Sequence, residues 1–143
     1  MNCLATDSPY REVGVMGPAQ TGKSEIGNNW QLHSILYDPA DMLFIAPDRV
    51  LIEAYVKKEF DKMVELAREH GTVPALKDRL LPGANSDTMS LKRFRGAELF
   101  FYWPTGPRLR ALPFPRVRID DVDDVPTDIG DQGDIFSLEI GRA

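Results

Sequence analysis

Gly17-Pro18-Ala19-Gln20-Thr21-Gly22-Lys23-Ser24 is the stretch that decides the fold. It reads G-x-x-x-x-G-K-[ST], a spacing with a physical reason. The glycines let the backbone curl until successive N–H groups point inward at phosphate oxygens, and the helix that follows offers its positive N-terminal end. The loop residues Gly17, Gln20, Thr21 and Gly22 shape that cradle. Lys23 is spaced to reach β- and γ-phosphates, and the Ser24 hydroxyl to ligate Mg²⁺. The motif needs a strand before it and a helix after it. Val13-Gly14-Val15-Met16 is a short apolar run suited to a buried strand. From Ser24 to Leu36 the apolar positions Ile26, Trp30, Ile35 and Leu36, with no proline between, suit a helix ended by Asp38-Pro39.

Farther out, Met42-Leu43-Phe44-Ile45-Ala46 is apolar throughout and closed by Pro47, which predicts a strand buried on both faces, as in a parallel sheet. Asp48 is placed to cap a helix over about 49–70, where Val50, Leu51, Ala54, Tyr55, Met63, Leu66 and Ala67 form a partial stripe and Gly71 stops it. Residues 71–93 are loop-rich. Glu98 to Trp103 reads as a strand, and Arg116-Val117-Arg118-Ile119 as another. This order predicts an α/β fold: a P-loop NTPase with a mainly parallel sheet flanked by helices, a single domain over 1–143 that is incomplete at its C-terminus.

Composition narrows the alternatives. The chain has 143 residues, 43% hydrophobic and 27% charged, ordinary for one soluble domain. It has no apolar run long enough to span a bilayer and no secretory signal pattern. With Cys3 its single cysteine and His33 and His70 its two histidines, 37 residues apart, disulfide frameworks and cysteine-based metal sites are excluded, a zinc site is disfavoured, and the chain is of cytoplasmic type. Both histidines, on helical stretches, read as surface or half-buried residues, and Trp30 as packing. The net charge of -5 is uneven: residues 119–143 carry 1 basic and 8 acidic residues, whereas 77–118 carry 9 basic against 3 acidic. A polyanionic partner is compatible with that local excess, and a solvated, internally paired surface is the plainer account.

A phosphate-bound metal needs a carboxylate at the end of a nearby strand. Asp120, after Val117-Arg118-Ile119, is the candidate to help position Mg²⁺, and Asp121 the candidate to orient the attacking water. An Asp-rich surface turn is the alternative reading. Asp123 and Asp124 read as solvated or as N-terminal charges of a short helix. The run Phe100-Phe101-Tyr102-Trp103 reads as core, with base stacking as the alternative.

Taken in order, these segments resemble the large subunit of tailed-phage terminases, the ATPase that drives DNA into the procapsid. The likeness covers about 8–142: Ser8-Pro9-Tyr10, then Val15 to Glu25, then Asp38-Pro39-Ala40 leading into the strand, then Glu53-Ala54 and Lys57. It continues through Ser90-Leu91-Lys92-Arg93-Phe94-Arg95-Gly96-Ala97, Leu109-Arg110, Asp120-Asp121-Val122-Asp123-Asp124-Val125-Pro126 and Asp131-Gln132-Gly133-Asp134. The resemblance implies ATP and Mg²⁺ as cofactors, Lys23 and Ser24 as phosphate and metal ligands, Asp120 as the metal-associated carboxylate, and Asp121 in the place of a catalytic glutamate. Arg110 is the candidate in cis for stabilising the leaving charge, with a neighbouring subunit's arginine as the alternative. Lys92, Arg93 and Arg95 are the candidates for DNA contact. Implied partners are double-stranded DNA, a small terminase subunit, the portal of the procapsid and further copies of this chain in a motor, in the bacterial host cytoplasm and without a membrane. Against the family the chain is short: the nuclease domain is absent, so it reads as an N-terminal ATPase segment. The alternatives are a helicase-like nucleic-acid ATPase and a catalytically inactive remnant that binds only nucleotide or a partner.

Overall fold

In a computed structural model the described residues are 4–5, 7–10, 12–69, 76, 79–81, 83, 88–105 and 114–126. The elements are α1 (Lys23–Tyr37), β1 (Met42–Ile45), α2 (Arg49–Tyr55), a π-helical turn (Val56–Phe60), α3 (Asp61–Glu69), β2 (Leu91–Phe94), β3 (Ala97–Tyr102), β4 (Arg116–Ile119) and a 3₁₀ turn (Val122–Asp124). Four strands form one sheet in the order β2-β3-β1-β4. β1 runs parallel to β3 and to β4, and β2 runs antiparallel to β3, so the sheet is mixed.

Every residue of β1 is buried, because it lies between two strands and beneath packing on both faces. Met42 and Phe44 face a cluster with Leu99, Phe101, Phe94 and the helical residues Ile35, Ile52, Tyr55, Val56 and Phe60. Leu43 and Ile45 face a smaller cluster with Phe114 and Val125, edged by Phe100, Tyr102, Val117 and Ile119. The aromatic run of β3 is thereby divided by the two-residue strand period. Phe101 is fully buried against Phe44 and Phe60, whereas Phe100 packs on Phe114. Packing accounts for these rings.

The helix expected over 49–70 starts as foreseen: the Asp48 carboxylate accepts the Leu51 N–H at 2.9 Å. It is not continuous, however. The π-helical turn at Val56–Phe60 separates α2 from α3 and delivers Val56 and Phe60 together into the core. The strand read at Glu98 to Trp103 is β3, whereas β2, at the end of the loop-rich stretch, was not foreseen, nor was the hairpin that joins the two. It closes through Arg95-Gly96, with Gly96 at φ 87°, a left-handed conformation that suits glycine.

One expected strand does not form. Val13–Met16 joins no strand, and Val13, Val15 and Met16 are 39%, 45% and 97% exposed. An apolar run of four, with Gly14 inside it, has something to gain from burial but specifies no pairing partner. Residues 12–20 instead lie on the surface. α1 also departs from expectation in its buried face. Ile26 is 44% exposed, while Asn28, Gln31 and Ser34 are buried beside Ile35 and Leu36. A helix with a polar inner face shows almost no amphipathic period, and here that face meets an arginine rather than an apolar sheet.

Candidate phosphate and metal site

The quoted loop turns sharply into α1. Gln20 and Gly22 have φ of 58° and 81°, and Gly22 occupies the N-cap position. The first intrahelical bond runs from Ile26 N–H to Gly22 C=O at 3.3 Å. The amides of Lys23, Ser24 and Glu25 precede it and form the positive end of a 15-residue helix. Inside the loop the Thr21 hydroxyl donates to Pro18 C=O at 2.7 Å. Lys23 Nζ donates to Gly17 C=O at 2.6 Å and Pro18 C=O at 2.8 Å. The lysine thus folds back over the loop, its ammonium bound to two carbonyls that an anionic oxygen is able to replace.

Facing this helix end is the C-terminal end of β4. Asp120 N–H donates to Ile45 C=O at 2.9 Å, which registers it against the end of β1, and its Oδ2 accepts the Ser24 hydroxyl at 3.3 Å. Residues 96 apart in sequence therefore meet, a hydroxyl against a carboxylate. Hard oxygen donors of this kind suit Mg²⁺, which takes one or two protein ligands and completes its shell with phosphate and water. The donor set fits the ion that the sequence implies. Asp121, next in the chain, has φ 48° and is exposed. Its backbone carbonyl accepts the Asp124 N–H at 2.9 Å, so it opens the 3₁₀ turn instead of lying beside Ser24. Asp123 and Asp124 are exposed in that turn, as expected. Arg110 lies outside the described residues, as do His70, Leu109 and Asp131 to Asp134.

The three basic candidates for DNA contact are placed differently from one another. Lys92 is buried, with its ammonium 2.8 Å from Asp61, so it is withdrawn from the surface rather than presented to a phosphate backbone. The strand period is the reason: Lys92 and Phe94 point to the helical side, and Leu91 and Arg93 away from it. Arg93 pairs with Glu98 at 2.8 Å and stays partly exposed, and Arg95 is exposed at the hairpin tip.

The sequence reading missed the centre of the site. Arg118, on β4, is 8% exposed. Its Nη1 donates to Asn28 Oδ1 at 2.8 Å, Gln31 Oε1 at 2.7 Å and Tyr55 Oη at 3.2 Å. Its Nη2 donates to Ser24 C=O at 3.2 Å and Asp120 Oδ2 at 3.1 Å. The guanidinium carbon lies 4.8 Å from the centre of the Phe44 ring and 5.4 Å from that of Tyr55. Burial pushes the Tyr55 phenol up to about 12 although Arg118 pulls the other way, so the hydroxyl stays protonated and donates to Asn28 Oδ1. Arg116, two residues earlier on the same face, binds the carbonyl and the carboxylate of Asp38. The available signal was Asn28 and Gln31 at helical spacing, beside Gly27, on a helix with little apolar period.

The fold and this juncture define an α/β protein with a loop-to-helix turn set against a carboxylate at a strand end. A family model for the ATPase domain of the phage terminase large subunit gpA matches residues 1–143. The chain belongs to that family, the ATPase domain of a DNA-packaging enzyme of phages. No curated protein and no solved structure matches it. No helix among the described residues is long and apolar enough to cross a membrane.

Proposed function

We propose that this chain binds ATP with Mg²⁺ on a P-loop formed by residues 17–24 and hydrolyses it to drive DNA packaging. The observation that carries this reading is the 3.3 Å contact between Ser24 Oγ and Asp120 Oδ2, which joins the glycine-lysine-serine turn to an acidic strand end. The amides of α1's first turn and the Lys23 ammonium bind the phosphates, with Lys23 exchanging its two loop carbonyls for phosphate oxygens. Ser24 and Asp120 would hold the metal, which when bound would neutralise phosphate charge. Asp121 orients a water and accepts its proton from the exposed side of the turn. Its side chain is exposed and one methylene shorter than glutamate, so catalysis by this carboxylate is slow. Arg110, or an arginine of a neighbouring copy, stabilises the leaving charge. Double-stranded DNA is the polyanion, contacted by Arg95 and Arg93, and the small subunit, portal and further copies of the chain complete the motor.

The test is ATP binding and turnover by the purified chain. Lys23→Ala is expected to bind ATP about tenfold to a hundredfold more weakly, Asp120→Ala to lose the magnesium-linked gain in binding, and Asp121→Glu to turn over faster than the parent. Binding without turnover in any form replaces the motor with a nucleotide-binding remnant. Strand separation without packaging in the presence of procapsids replaces it with a helicase-like ATPase.

A further inference from the structure

A buried guanidinium is expensive to desolvate unless its hydrogens are satisfied, and replacing such a group together with its partners by apolar residues is often as stable. Packing alone therefore gives no reason for Arg118 on β4. What Arg118 does that an apolar residue cannot is bind two groups of the phosphate-metal juncture from one nitrogen. Nη2 lies 3.2 Å from the Ser24 carbonyl and 3.1 Å from Asp120 Oδ2, the same oxygen that accepts the Ser24 hydroxyl. Asn28, Gln31 and Tyr55 anchor the other nitrogen and fix the plane of the group. α1 is shaped to let it through. A Cβ at Gly27 would stand 2.4 Å from Arg118 Nε and 2.5 Å from Cζ, and a side chain held by five partners has no easy way to retreat.

We infer that Arg118 is a positioning residue for the metal site, setting the spacing between the N-terminus of α1 and the Asp120 carboxylate so that Ser24 and Asp120 hold one ion together. The inference rests on the reading of those two residues as metal ligands. Gly27 belongs to the same device, as the gap through which the guanidinium reaches them. Lysine does not replace arginine here, because a single ammonium lacks the planar fork that satisfies both sides at once.

Binding of a fluorescent ATP analogue to the full chain, measured with Mg²⁺ and again with EDTA, tests this. The ratio of the two affinities is the magnesium-linked gain. Arg118→Lys, Arg118→Gln and Gly27→Ala are each expected to lose about tenfold or more of that gain, the range typical of residues that orient metal ligands, while metal-free binding is unchanged. Gly27→Ala added to Arg118→Gln is expected to cost nothing further, since both act through one group. The inference is overturned if the variants keep the gain, if metal-free binding falls in the same proportion, or if the two substitutions add independently. Circular dichroism checks folding, and if the Arg118 variants do not fold, Gly27→Ala, a single added methyl on a helix, decides the question. A parent chain with no magnesium-linked gain would refute the metal-site reading itself, a distinct result.

Discussion

The two sides of the juncture between the residue 17–24 loop and Asp120 are built by opposite means. The loop at Gly17–Gly22 is exposed and holds itself with short-range bonds: Thr21 to Pro18, and Lys23 to Gly17 and Pro18. The β4 side is buried and held by bonds between residues 63 to 94 positions apart, all converging on Arg118. The first can reorganise around a ligand at little cost to the fold. The second is part of the fold, and its geometry is settled before any ligand arrives.

Substitutions on the two sides should therefore separate stability from binding. The largest effect expected is for Arg118→Met, which takes one donor from Asn28 and Gln31 and the cationic partner from the Asp120 carboxylate, and should cost about 3 kcal/mol in urea unfolding. Lys23→Ala is expected to do the reverse. ATP affinity falls by about tenfold to a hundredfold for the lost charge-assisted bonds, while the urea midpoint hardly moves. Equal losses of stability in both variants would erase the distinction.

Tyr55 sharpens it further. Its phenol is raised from the ordinary 10 to about 12, so the folded state retains the proton longer than the unfolded state does. Its contribution is complete below pH 10 and is lost as pH rises from 10 to 12, on the order of 3 kcal/mol across that window. Urea midpoints at pH 9 and pH 11.5 should differ more for the parent chain than for Tyr55→Phe. The smallest effect is on the loop side: Gly22→Ala places a side chain at φ 81° and should cost about 1 kcal/mol. A neutral Gly22→Ala would mean that the turn into α1 relaxes freely.

How much of this was legible in the sequence depends on the range of the interaction concerned. Asp48 capping α2, β1 buried on both faces and the turn from Gly22 into α1 follow from neighbouring residues and appear where expected. Val13–Met16 carried the same kind of apolar signal and formed no strand, because pairing depends on a partner's position and not on the run itself. Lys92 and Arg93, adjacent in sequence and alike in charge, went to opposite faces of β2 once the hairpin at Arg95-Gly96 set the register.

The amino-acid order alone determined the glycine-lysine-serine motif of residues 17–24, the acidic strand end at Asp120 and the family to which the chain belongs. These depend on local backbone geometry and residue type. Only the tertiary structure decided that Asp120 rather than Asp121 lies against Ser24, and that a guanidinium on β4 passes Gly27 to join them. The pleat of β4 and its parallel pairing with β1 put Arg118 and Asp120 on the face that α1 covers, and no window of sequence contains that pairing.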